Sequence, residues 1–480
     1  MRKHTRRMYP LFILCMLPLF ALAQATTQSP QKATVRINAN KPMQTIEGWG
    51  SSLCWWAAQV GSWDDNQIDE IVNLMVSPEG LNMNIFRYNI GGGDDPSHAD
   101  GHMVKGKGKR AEMDGFWPRP DSAMNWKADE AQRKVMLKIK ELRPDAVFEA
   151  FSNSPPYWMT YSGCAAGHED PSKDNLRPEY YEAFCDYLIE VCKHYKEVYG
   201  IEFKTLEPFN ESLSSYWNNQ GSQEGCHFDP ATQIAIIRML YPKLKKAGLN
   251  NTVLAASDET NLASAIRIVK AYDEAGDIFP KLGQFNTHTY SGTNAEREEL
   301  HRLMADKKIP FWQSETGPSG GVGLQSNLLL TQKLFDDMKI MQPQAWLDWQ
   351  MMEEHNNEWC QFRGNFTTHD YEVIKNYYVR KQITSFFKQG YTLLEADQPQ
   401  VMAALSPDKK ELVVAVVNTD TVPMQYTTMV EGVFPRDYPT SYRTSAQEDC
   451  KLIYPDIQDR GSEWVYTAPA QSLTTFVIPL

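Results

Sequence analysis

Short apolar runs that end in polar or aromatic residues alternate with longer segments of helical period from residue 45 to about residue 390. This alternation predicts βα units around a parallel sheet. Two of the longer segments, 179–199 and 231–247, carry apolar residues three and four positions apart, as crossover helices do. Eight candidate strands can be counted, at residues 45–53, 83–90, 146–153, 202–210, 252–259, 284–290, 310–317 and 345–352. Because eight such units close a (β/α)8 barrel, we predict an α/β fold of the TIM-barrel type over residues 45–390.

Residues 391–480 follow a different pattern, with short alternating segments between Asp, Pro, Asn and Gly residues. The clearest of these segments are 401–405, 411–417 and 473–478. Period-two alternation that is broken by turn residues predicts an antiparallel β domain at this end of the chain. Residues 34–40, within an N-terminal segment 24–44, alternate in the same way, and we expect them to add a strand to that domain.

The first residues have the layout of a secretory signal peptide. Four basic residues within positions 2–7 precede the apolar run 11–22, and Ala21-Leu22-Ala23 supplies a small-x-small cleavage site before Gln24. We therefore predict that residues 1–23 are a cleaved signal and that the protein is secreted or periplasmic. No later stretch approaches twenty uninterrupted apolar residues, so we expect no stable insertion into a membrane.

Charge narrows the class of ligand. The 480 residues include 60 acidic and 48 basic side chains, which gives a formal net charge of -12. Phosphate binding needs a basic footprint, so the composition argues against nucleic acid or anionic lipid as a partner. An aromatic content of 11% adds flat apolar faces that suit a neutral ligand as well as packing.

Cysteine and glycine patterns give no support for a metal or a cofactor. Seven cysteines follow the predicted signal: Cys54, Cys164, Cys185, Cys192, Cys226, Cys360 and Cys450. An odd, dispersed set is a poor disulfide framework, so we expect buried thiols. The sequence contains no Cys-x-x-Cys pair and no His-Glu-x-x-His motif, and its glycine clusters lack phosphate-loop or dinucleotide spacing. We predict that the protein uses no metal and no cofactor.

Two glutamates follow strands on opposite sides of the predicted barrel. Glu211 comes directly after the fourth strand, and Glu315 lies at the end of the seventh. In such barrels the reactive groups sit at the carboxyl ends of the strands, where the βα loops converge. Strands four and seven face one another across the axis, so the two carboxylates can hold a glycosidic bond between them. The placement predicts a hydrolase with two catalytic carboxylates.

The other strand ends are polar, acidic and aromatic, as a sugar site requires. Sugars offer hydroxyls for hydrogen bonds and an apolar C–H face that packs on tryptophan. Asp258 and Glu259 are expected to be solvated or in contact with substrate, with cation binding as the alternative. For His288 we favour a structural or hydrogen-bonding role over that of a catalytic base. The candidate residues are Arg87, Asn89, Asn153, Trp158, Asp258, Glu259, His288, Tyr290, Trp346 and Trp349.

The sequence resembles glycoside hydrolase family 30 over nearly all of its length after the signal. The motifs that carry the resemblance are IEGWG at 46–50, FRYN at 86–89, SNSPPYWM at 152–159, NE at 210–211, SETG at 314–317 and SLTTF at 472–476. The resemblance implies a β-sandwich beside the barrel and a retaining mechanism, with Glu315 as nucleophile and Glu211 as acid/base. It also implies that Asn210 binds the sugar 2-hydroxyl, that Tyr290 orients Glu315, and that Arg87 supports the charge of the nucleophile.

Two further motifs, CWWA at 54–57 and QEGCHF at 223–228, are most similar to the subgroup that cleaves β-1,6-linked galactan, the side chains of arabinogalactans. Ser212 departs from the proline that usually follows the acid/base. Two alternatives remain open: the same mechanism on β-1,6-glucan, xylan or a glucosylceramide-like β-glucoside, and a non-catalytic barrel that binds glycans. Trp349 is expected to form the floor of the sugar subsite. Residues that can either contact sugar or pack in the core are Trp55, Trp56, Trp158, Trp217 and Trp346.

Overall fold

A closed barrel of eight parallel strands dominates the computed structural model, which describes residues 30–95, 113–459 and 463–480. A first strand, β1 (Gln31–Thr45), precedes the barrel. The barrel strands are β2 (Gly48–Ser52), β3 (Ile85–Asn89), β4 (Val147–Phe151), β5 (Thr205–Glu207), β6 (Val253–Asn261), β7 (Leu282–Ser291), β8 (Phe311–Glu315) and β9 (Ala345–Asp348). The strand β2 closes the barrel by pairing with β9. Each barrel strand overlaps one of the eight predicted from the sequence, so the predicted (β/α)8 fold is confirmed.

The interior of the barrel changes from apolar to charged along the strands. Alternation in β3 places Ile85, Arg87 and Asn89 on one face. Ile85 packs in a buried apolar cluster with Trp312 and Leu347. Arg87 bonds to buried acids from three other strands, and Asn89 donates to Glu224 in a loop. A charged layer therefore lies between an apolar floor and the mouth at the carboxyl ends of the strands.

The described residues form nine α-helices, most of which follow barrel strands. They are α1 (Trp56–Val60), α2 (Asp65–Val76), α3 (Glu130–Leu142), α4 (Tyr181–Tyr199), α5 (Pro230–Lys246), α6 (Leu262–Ala275), α7 (Asn294–Ala305), α8 (Gly323–Asp336) and α9 (Lys375–Thr384). Residues spaced by four and three, such as Phe184, Leu188 and Val191, form the buried face of α4. That helix ends at Gly200, whose φ of 64° is readily adopted by glycine. The helices predicted at 179–199 and 231–247 are thus present as α4 and α5.

A ten-stranded sheet lies beside the barrel, in the order β18-β17-β21-β15-β14-β13-β1-β16-β20-β19. Its further strands are β13 (Thr392–Ala396), β14 (Val401–Leu405), β15 (Glu411–Asn418), β16 (Met424–Glu431), β17 (Thr440–Ser445), β18 (Glu448–Ile453), β19 (Gln458–Asp459), β20 (Glu463–Ala468) and β21 (Ser472–Pro479). A small sheet contains β10 (Met352–Glu354), β11 (Phe362–Asn365) and β12 (Asp370–Val373). In the large sheet, Tyr466 of β20 packs edge-on against Phe476 of β21, with ring centroids 4.9 Å apart. Strands far apart in the sheet order therefore face each other, so the sheet folds into two layers.

The strand β1 carries the segment 34–40 into this large sheet. Ile37 pairs with Ala396 of β13 on one side and with Val430 of β16 on the other. The pairing with β13 is antiparallel, whereas the pairing with β16 is parallel. All other neighbouring strands in the sheet are antiparallel, as the sequence pattern predicts.

The barrel and the large sheet share an interface through α9. The side chain of Gln382, which is fully buried, donates to the backbone carbonyls of Tyr442 and Leu473 at 3.0 and 2.7 Å. Thr475 Oγ1 in turn donates to the carbonyl of Gln382 at 3.1 Å. Because these hydrogen bonds between buried groups cross the interface, the two units hold a defined relative position.

Six of the seven predicted thiols are free and buried, and Cys450 is free and half-buried. Cys185 and Cys192 lie on the buried face of α4, as expected of core residues. Within the described ranges, no helix is long and apolar enough to cross a membrane. The signal peptide predicted at residues 1–23 lies outside those ranges.

Candidate active site

Glu211, His288 and Glu315 meet at the carboxyl end of the barrel. Glu211 follows β5, His288 belongs to β7, and Glu315 is the last residue of β8. One carboxylate oxygen from each glutamate and one ring nitrogen of His288 all lie within 4.8 Å of one another. All three side chains are buried. The structure thus brings together the two carboxylates that the sequence places on opposite strands.

Glu315 is held by two donors. Arg87 Nη1 donates to Oε2 at 2.8 Å, and the Tyr290 hydroxyl donates to Oε1 at 2.8 Å. Burial raises the pKa of Glu315 to about 7, and the nearby Glu211 carboxylate adds to this rise. His288 and Arg87 oppose it through their positive charge. Two converging donors fix the orientation of the carboxylate, and they also support its charge.

Arg87 connects Glu315 to two other buried acids. Its guanidinium donates to Glu149 Oε1 at 2.8 Å and forms a close ion pair with Asp258, and all three side chains are fully buried. The guanidinium lies 4.0 Å from the centroid of the Phe151 ring. Although burial works against its charge, the three carboxylates outweigh this and raise the pKa of Arg87 above its ordinary value. The cation therefore compensates a cluster of acids taken out of water.

Asp258 and Glu259 correct an expectation from the sequence, because both are fully buried rather than solvated. Although burial favours the neutral form, Arg87 and His288 lower the pKa of Asp258 below its ordinary value. Glu259 accepts a hydrogen bond from the backbone N–H of Leu213 at 3.1 Å, and burial raises its pKa to about 8. The two acids support the site from within the barrel instead of facing the cleft.

The backbone at Glu211 has a left-handed conformation with φ of 52°. Its N–H donates to the carbonyl of Asp258 at 2.7 Å, and the Trp217 indole donates to the Glu211 carbonyl at 2.9 Å. The side chain accepts from His288 Nδ1 on Oε1 at 2.9 Å and from the Tyr216 hydroxyl on Oε2. Tyr216 was not among the residues that the sequence singled out, because it lies inside a loop and not at a strand end. Both backbone and side chain of Glu211 are thus fixed.

His288 acts as a charged hydrogen-bond donor in this arrangement. Burial lowers its basicity, but the carboxylates of Glu315 and Asp258 outweigh burial and raise the pKa of His288 to about 10. Its Nδ1 lies 2.9 Å from Glu211, and its Nε2 lies 3.5 Å from Asp258. A group that is already protonated near neutral pH is a poor general base, so the structure agrees with the hydrogen-bonding role expected from the sequence.

The charge on His288 predicts a pH dependence of stability. Its pKa in the folded chain is about 10 against an ordinary value of 6.5, so the imidazolium stabilises the folded state. This contribution is complete below about pH 6.5 and is lost as the pH rises through about 10. We expect the free energy of unfolding to fall over this interval more steeply in the wild type than in His288→Gln. Urea unfolding followed by tryptophan fluorescence at several pH values tests this, and parallel curves for the two proteins would contradict it.

Three asparagines lie at the mouth of the barrel near the paired glutamates. Asn210 is buried, and its Oδ1 accepts no hydrogen bond from the described part of the chain. Asn89 Nδ2 donates to Glu224 Oε2 at 3.0 Å, and Asn89 Oδ1 accepts from the backbone N–H of Asn153 at 3.3 Å. A buried polar atom without a partner costs free energy unless a ligand satisfies it. Asn210 is therefore the asparagine best prepared to receive a hydroxyl from substrate.

The predicted tryptophans divide into two groups. Trp55 and Trp349 pack edge-on with ring centroids 5.6 Å apart, and the backbone N–H of Trp349 donates to the carbonyl of Thr316, next to Glu315. Trp158 is half-buried, and its indole donates to the carbonyl of Trp117 at 2.8 Å.

Trp346 does not face the cleft, contrary to expectation. It is buried, its indole donates to Asp337 at 2.9 Å, and its ring packs against Arg380 of α9. Its side chain points outward from β9 to the helices, because alternation places the neighbouring residue Leu347 on the inner face. Trp346 is thus a core residue, and its predicted role in substrate binding is wrong.

Among the residues that the structure describes, two groups of side chains have ligand atoms close enough to hold a metal ion: Glu211 with His288 and Glu315, and Asp174 with His227 and Asp229. In the first group, the raised pKa of His288 places a proton on the nitrogen that a metal would need. In the second group, Asp174 already accepts from the backbone N–H of Asp229 at 2.6 Å and from Thr232, and so caps the start of α5. No step of the chemistry below is assigned to an ion.

Two facing carboxylates at the mouth of a (β/α)8 barrel form the arrangement that glycoside hydrolases use. The model of O-Glycosyl hydrolase family 30 matches residues 32–307 of the chain. Over 421 residues the chain is 32% identical to an endo-beta-1,6-galactanase from Hypocrea rufa, with 84% of each protein covered. The chain is a glycoside hydrolase, and it belongs to O-glycosyl hydrolase family 30. The family resemblance drawn from the sequence motifs is therefore confirmed.

Two further comparisons concern a more distant relative and a solved structure. Over 411 residues the chain is 25% identical to an exo-beta-1,6-galactobiohydrolase from Bifidobacterium longum subsp. longum, covering 65% of this chain and 27% of that protein. The crystal structure of a conserved exported protein from Bacteroides fragilis superposes with a TM-score of 0.77 at 17% identity, covering 93% of this chain and 100% of that one. The structural likeness supports the fold of barrel and side sheet.

Proposed function

We propose that the protein is a retaining glycoside hydrolase in which Glu315 is the nucleophile and Glu211 is the acid/base. The observation that carries this proposal is the short separation of the two carboxylates, whose nearest oxygens lie within 4.8 Å. Retaining enzymes hold the two carboxyl groups about 5–5.5 Å apart, whereas inverting enzymes hold them about 6.5–9.5 Å apart to admit a water between. So short a separation supports double displacement over direct attack by water.

The reaction proceeds in two displacements. In the first, a Glu315 oxygen bonds to the anomeric carbon, the glycosidic C–O bond breaks, and Glu211 gives its proton to the leaving oxygen. In the second, a water oxygen bonds to the same carbon, the bond to Glu315 breaks, and Glu211 takes the water proton. Glu211 ends the cycle protonated and Glu315 ends it ionised, so the enzyme returns to its starting state.

The hydrogen bonds explain why the two glutamates differ. Glu315 accepts from a permanent cation, Arg87, as well as from Tyr290. Both contacts favour the ionised form that a nucleophile needs. Like charges this close disfavour ionisation of both members, so one proton is retained by the pair. We place that proton on Glu211, the acid implied by the family resemblance, because Arg87 bonds to Glu315 while the cation beside Glu211, His288, also lies 3.5 Å from Glu315.

Other residues bind and orient the sugar in this proposal. Asn210, with its unpartnered buried oxygen, accepts a hydrogen bond from the 2-hydroxyl of the sugar in the reacting subsite. Trp349 forms the floor of the subsite, and Trp55 supports it from behind through their edge-on contact. Trp158 and Asn153 contribute to the wall of the cleft. A tryptophan floor matches the apolar C–H face of a sugar, while asparagines match its hydroxyls.

We further propose β-1,6-linked galactan, as in arabinogalactan side chains, as the substrate. Two relatives described above are named for β-1,6-galactan cleavage, one as an endo enzyme and one as a galactobiohydrolase. The predicted signal peptide at residues 1–23 supports secretion, which would place the enzyme where such polysaccharides occur. The acidic composition is consistent with a neutral polysaccharide as partner.

Hydrolysis of β-1,6-galacto-oligosaccharides of graded length tests this function. We expect shorter galacto-oligosaccharides as products, and proton NMR of the first product should show the β-anomer before mutarotation. Debranched arabinogalactan serves as the polymeric substrate, with β-1,6-glucan and xylan as controls. Initial formation of the α-anomer would contradict the retaining mechanism. Activity on glucan or xylan with none on galactan would contradict the proposed substrate.

A further inference from the structure

A chain of hydroxyl groups ends at Glu211. The hydroxyl of Tyr216 donates to Glu211 Oε2 and also lies 3.1 Å from Thr260 Oγ1. Thr260 Oγ1 in turn contacts Ser214 Oγ. Tyr216 and Ser214 belong to the loop after β5, and Thr260 belongs to β6. Tyr216 is 46% exposed, whereas Ser214 is buried, so the chain spans the edge of the cleft.

A hydroxyl group can both donate and accept a hydrogen bond, so the direction of each hydrogen bond in this chain of hydroxyl groups can reverse. When Glu211 is ionised, the hydroxyls of Ser214, Thr260 and Tyr216 can all donate in the direction of the carboxylate. When Glu211 carries a proton on Oε2, each hydrogen bond can turn around without any movement of the oxygen atoms. The same geometry therefore satisfies Glu211 in both its protonated and its ionised form.

We propose that Tyr216 is a positioning residue that holds Glu211 in both protonation states and strengthens it as an acid, an inference that rests on the proposed function of Glu211. The hydroxyl of Tyr216 stabilises the carboxylate that forms as the proton moves to the leaving oxygen. Each Glu211 oxygen accepts one hydrogen bond from the protein and keeps a second lone pair for substrate. The chain of hydroxyl groups does not have to carry protons to solvent, because Glu211 regains its proton from the attacking water.

The other ionisable groups around Glu211 stay in place when Tyr216 is changed. They are Glu259 on β6, His288 and Tyr290 on β7, and Glu315 on β8. Glu315 presents a carboxylate and His288 an imidazolium to Glu211, whereas Glu259, whose pKa burial raises to about 8, is largely neutral near pH 7. Removal of the Tyr216 hydroxyl therefore changes one neutral donor and leaves the charges as they are.

The Tyr216→Phe variant tests this role with two substrates. The leaving group of β-1,6-galactotetraose is an alcohol, which needs a proton. The leaving group of 2,4-dinitrophenyl β-1,6-galactobioside is dinitrophenolate, which departs without one. We expect kcat/KM on the tetraose to fall about tenfold, and kcat/KM on the aryl substrate to stay within about twofold of the wild type. In the pH profile of kcat/KM on the tetraose, the alkaline limb should move to higher pH, because Glu211 without this donor holds its proton more tightly. Thr260→Val should act in the same direction with a smaller effect.

The matched control is Tyr161→Phe, which removes the hydroxyl of a tyrosine that is 57% exposed and packs edge-on to His168. It should leave both substrates and the pH profile unchanged. An equal loss on both substrates with no shift of the alkaline limb would show only a structural role, and no loss on either would show no role. Both outcomes overturn the proposal. Full tetraose activity in Glu211→Gln would instead overturn the proposed function.

Discussion

Replacing Glu315 with Gln should abolish hydrolysis, with kcat lower by about 10⁴-fold or more. An amide has the shape of the carboxylate and can still hydrogen bond to Tyr290, so the fold should be retained. It cannot form the ester bond to the anomeric carbon, and without that bond the first displacement fails. Initial rates on β-1,6-galactotetraose and on an aryl galactobioside measure the loss, with circular dichroism as the check on folding.

Covalent trapping identifies the nucleophile directly. A 2-deoxy-2-fluoro galactobioside with a good leaving group should add one glycosyl mass to the wild type and none to Glu315→Gln. Peptide mapping should place the label on Glu315. The matched control is Glu354→Gln, which changes a glutamate that accepts the backbone N–H of Phe366 in the small sheet and should leave labelling intact. A label on Asp258 or Glu259, or unchanged turnover in Glu315→Gln, would remove Glu315 from its proposed role.

Replacing Arg87 with Met should lower the free energy of unfolding by about 3–5 kcal/mol, the largest stability effect that we expect from one substitution. The change leaves Glu149, Asp258 and Glu315 buried without their shared cation. It should also greatly reduce turnover, because Glu315 then holds a proton more readily and loses one of its two donors. Urea unfolding and hydrolysis rates measure the two effects separately.

The control for Arg87→Met is Arg238→Met. Arg238 forms a bidentate ion pair with Asp277, but their side chains are 48% and 43% exposed. Water screens such a pair, so the substitution should cost much less stability than Arg87→Met. Arg87→Lys keeps the positive charge but loses the planar guanidinium that bonds to three carboxylates. Its stability should lie between that of the wild type and that of Arg87→Met. A similar loss in Arg87→Met and Arg238→Met would contradict the cluster as a stabilising unit.

The sequence predicts those parts of the site that depend on strand order. Glu211 and Glu315 could be paired in advance because the carboxyl ends of parallel strands meet at one mouth, whatever the intervening helices do. The same reasoning brings Arg87, His288 and Tyr290 to the pair, and their contacts with Glu315 or Glu211 are present in the structure. Strand alternation was also sufficient to predict the barrel and the side sheet.

The sequence does not predict features that depend on which face of a strand a residue occupies or on how a loop folds. Trp346 lies on the outer face of β9. Because both faces of this strand carry buried apolar residues, the sequence does not show which residues point inward and which point outward. Asp258 and Glu259 are acids at a strand end, and only the barrel closure shows that Arg87 and other buried groups surround them. Tyr216 reaches Glu211 through loop geometry, for which its sequence carries no periodic signal.

The path of β1 has a consequence for how the enzyme is built. Because Ile37 pairs with Ala396 and Val430, the side sheet is assembled from both ends of the polypeptide, with the whole barrel between them. During synthesis this strand leaves the ribosome early and must wait for partners that are made after the catalytic residues. A C-terminal fragment expressed alone would expose two unpaired strand edges in the middle of its sheet, where intermolecular pairing can begin. The side domain therefore cannot be cut out as a contiguous module.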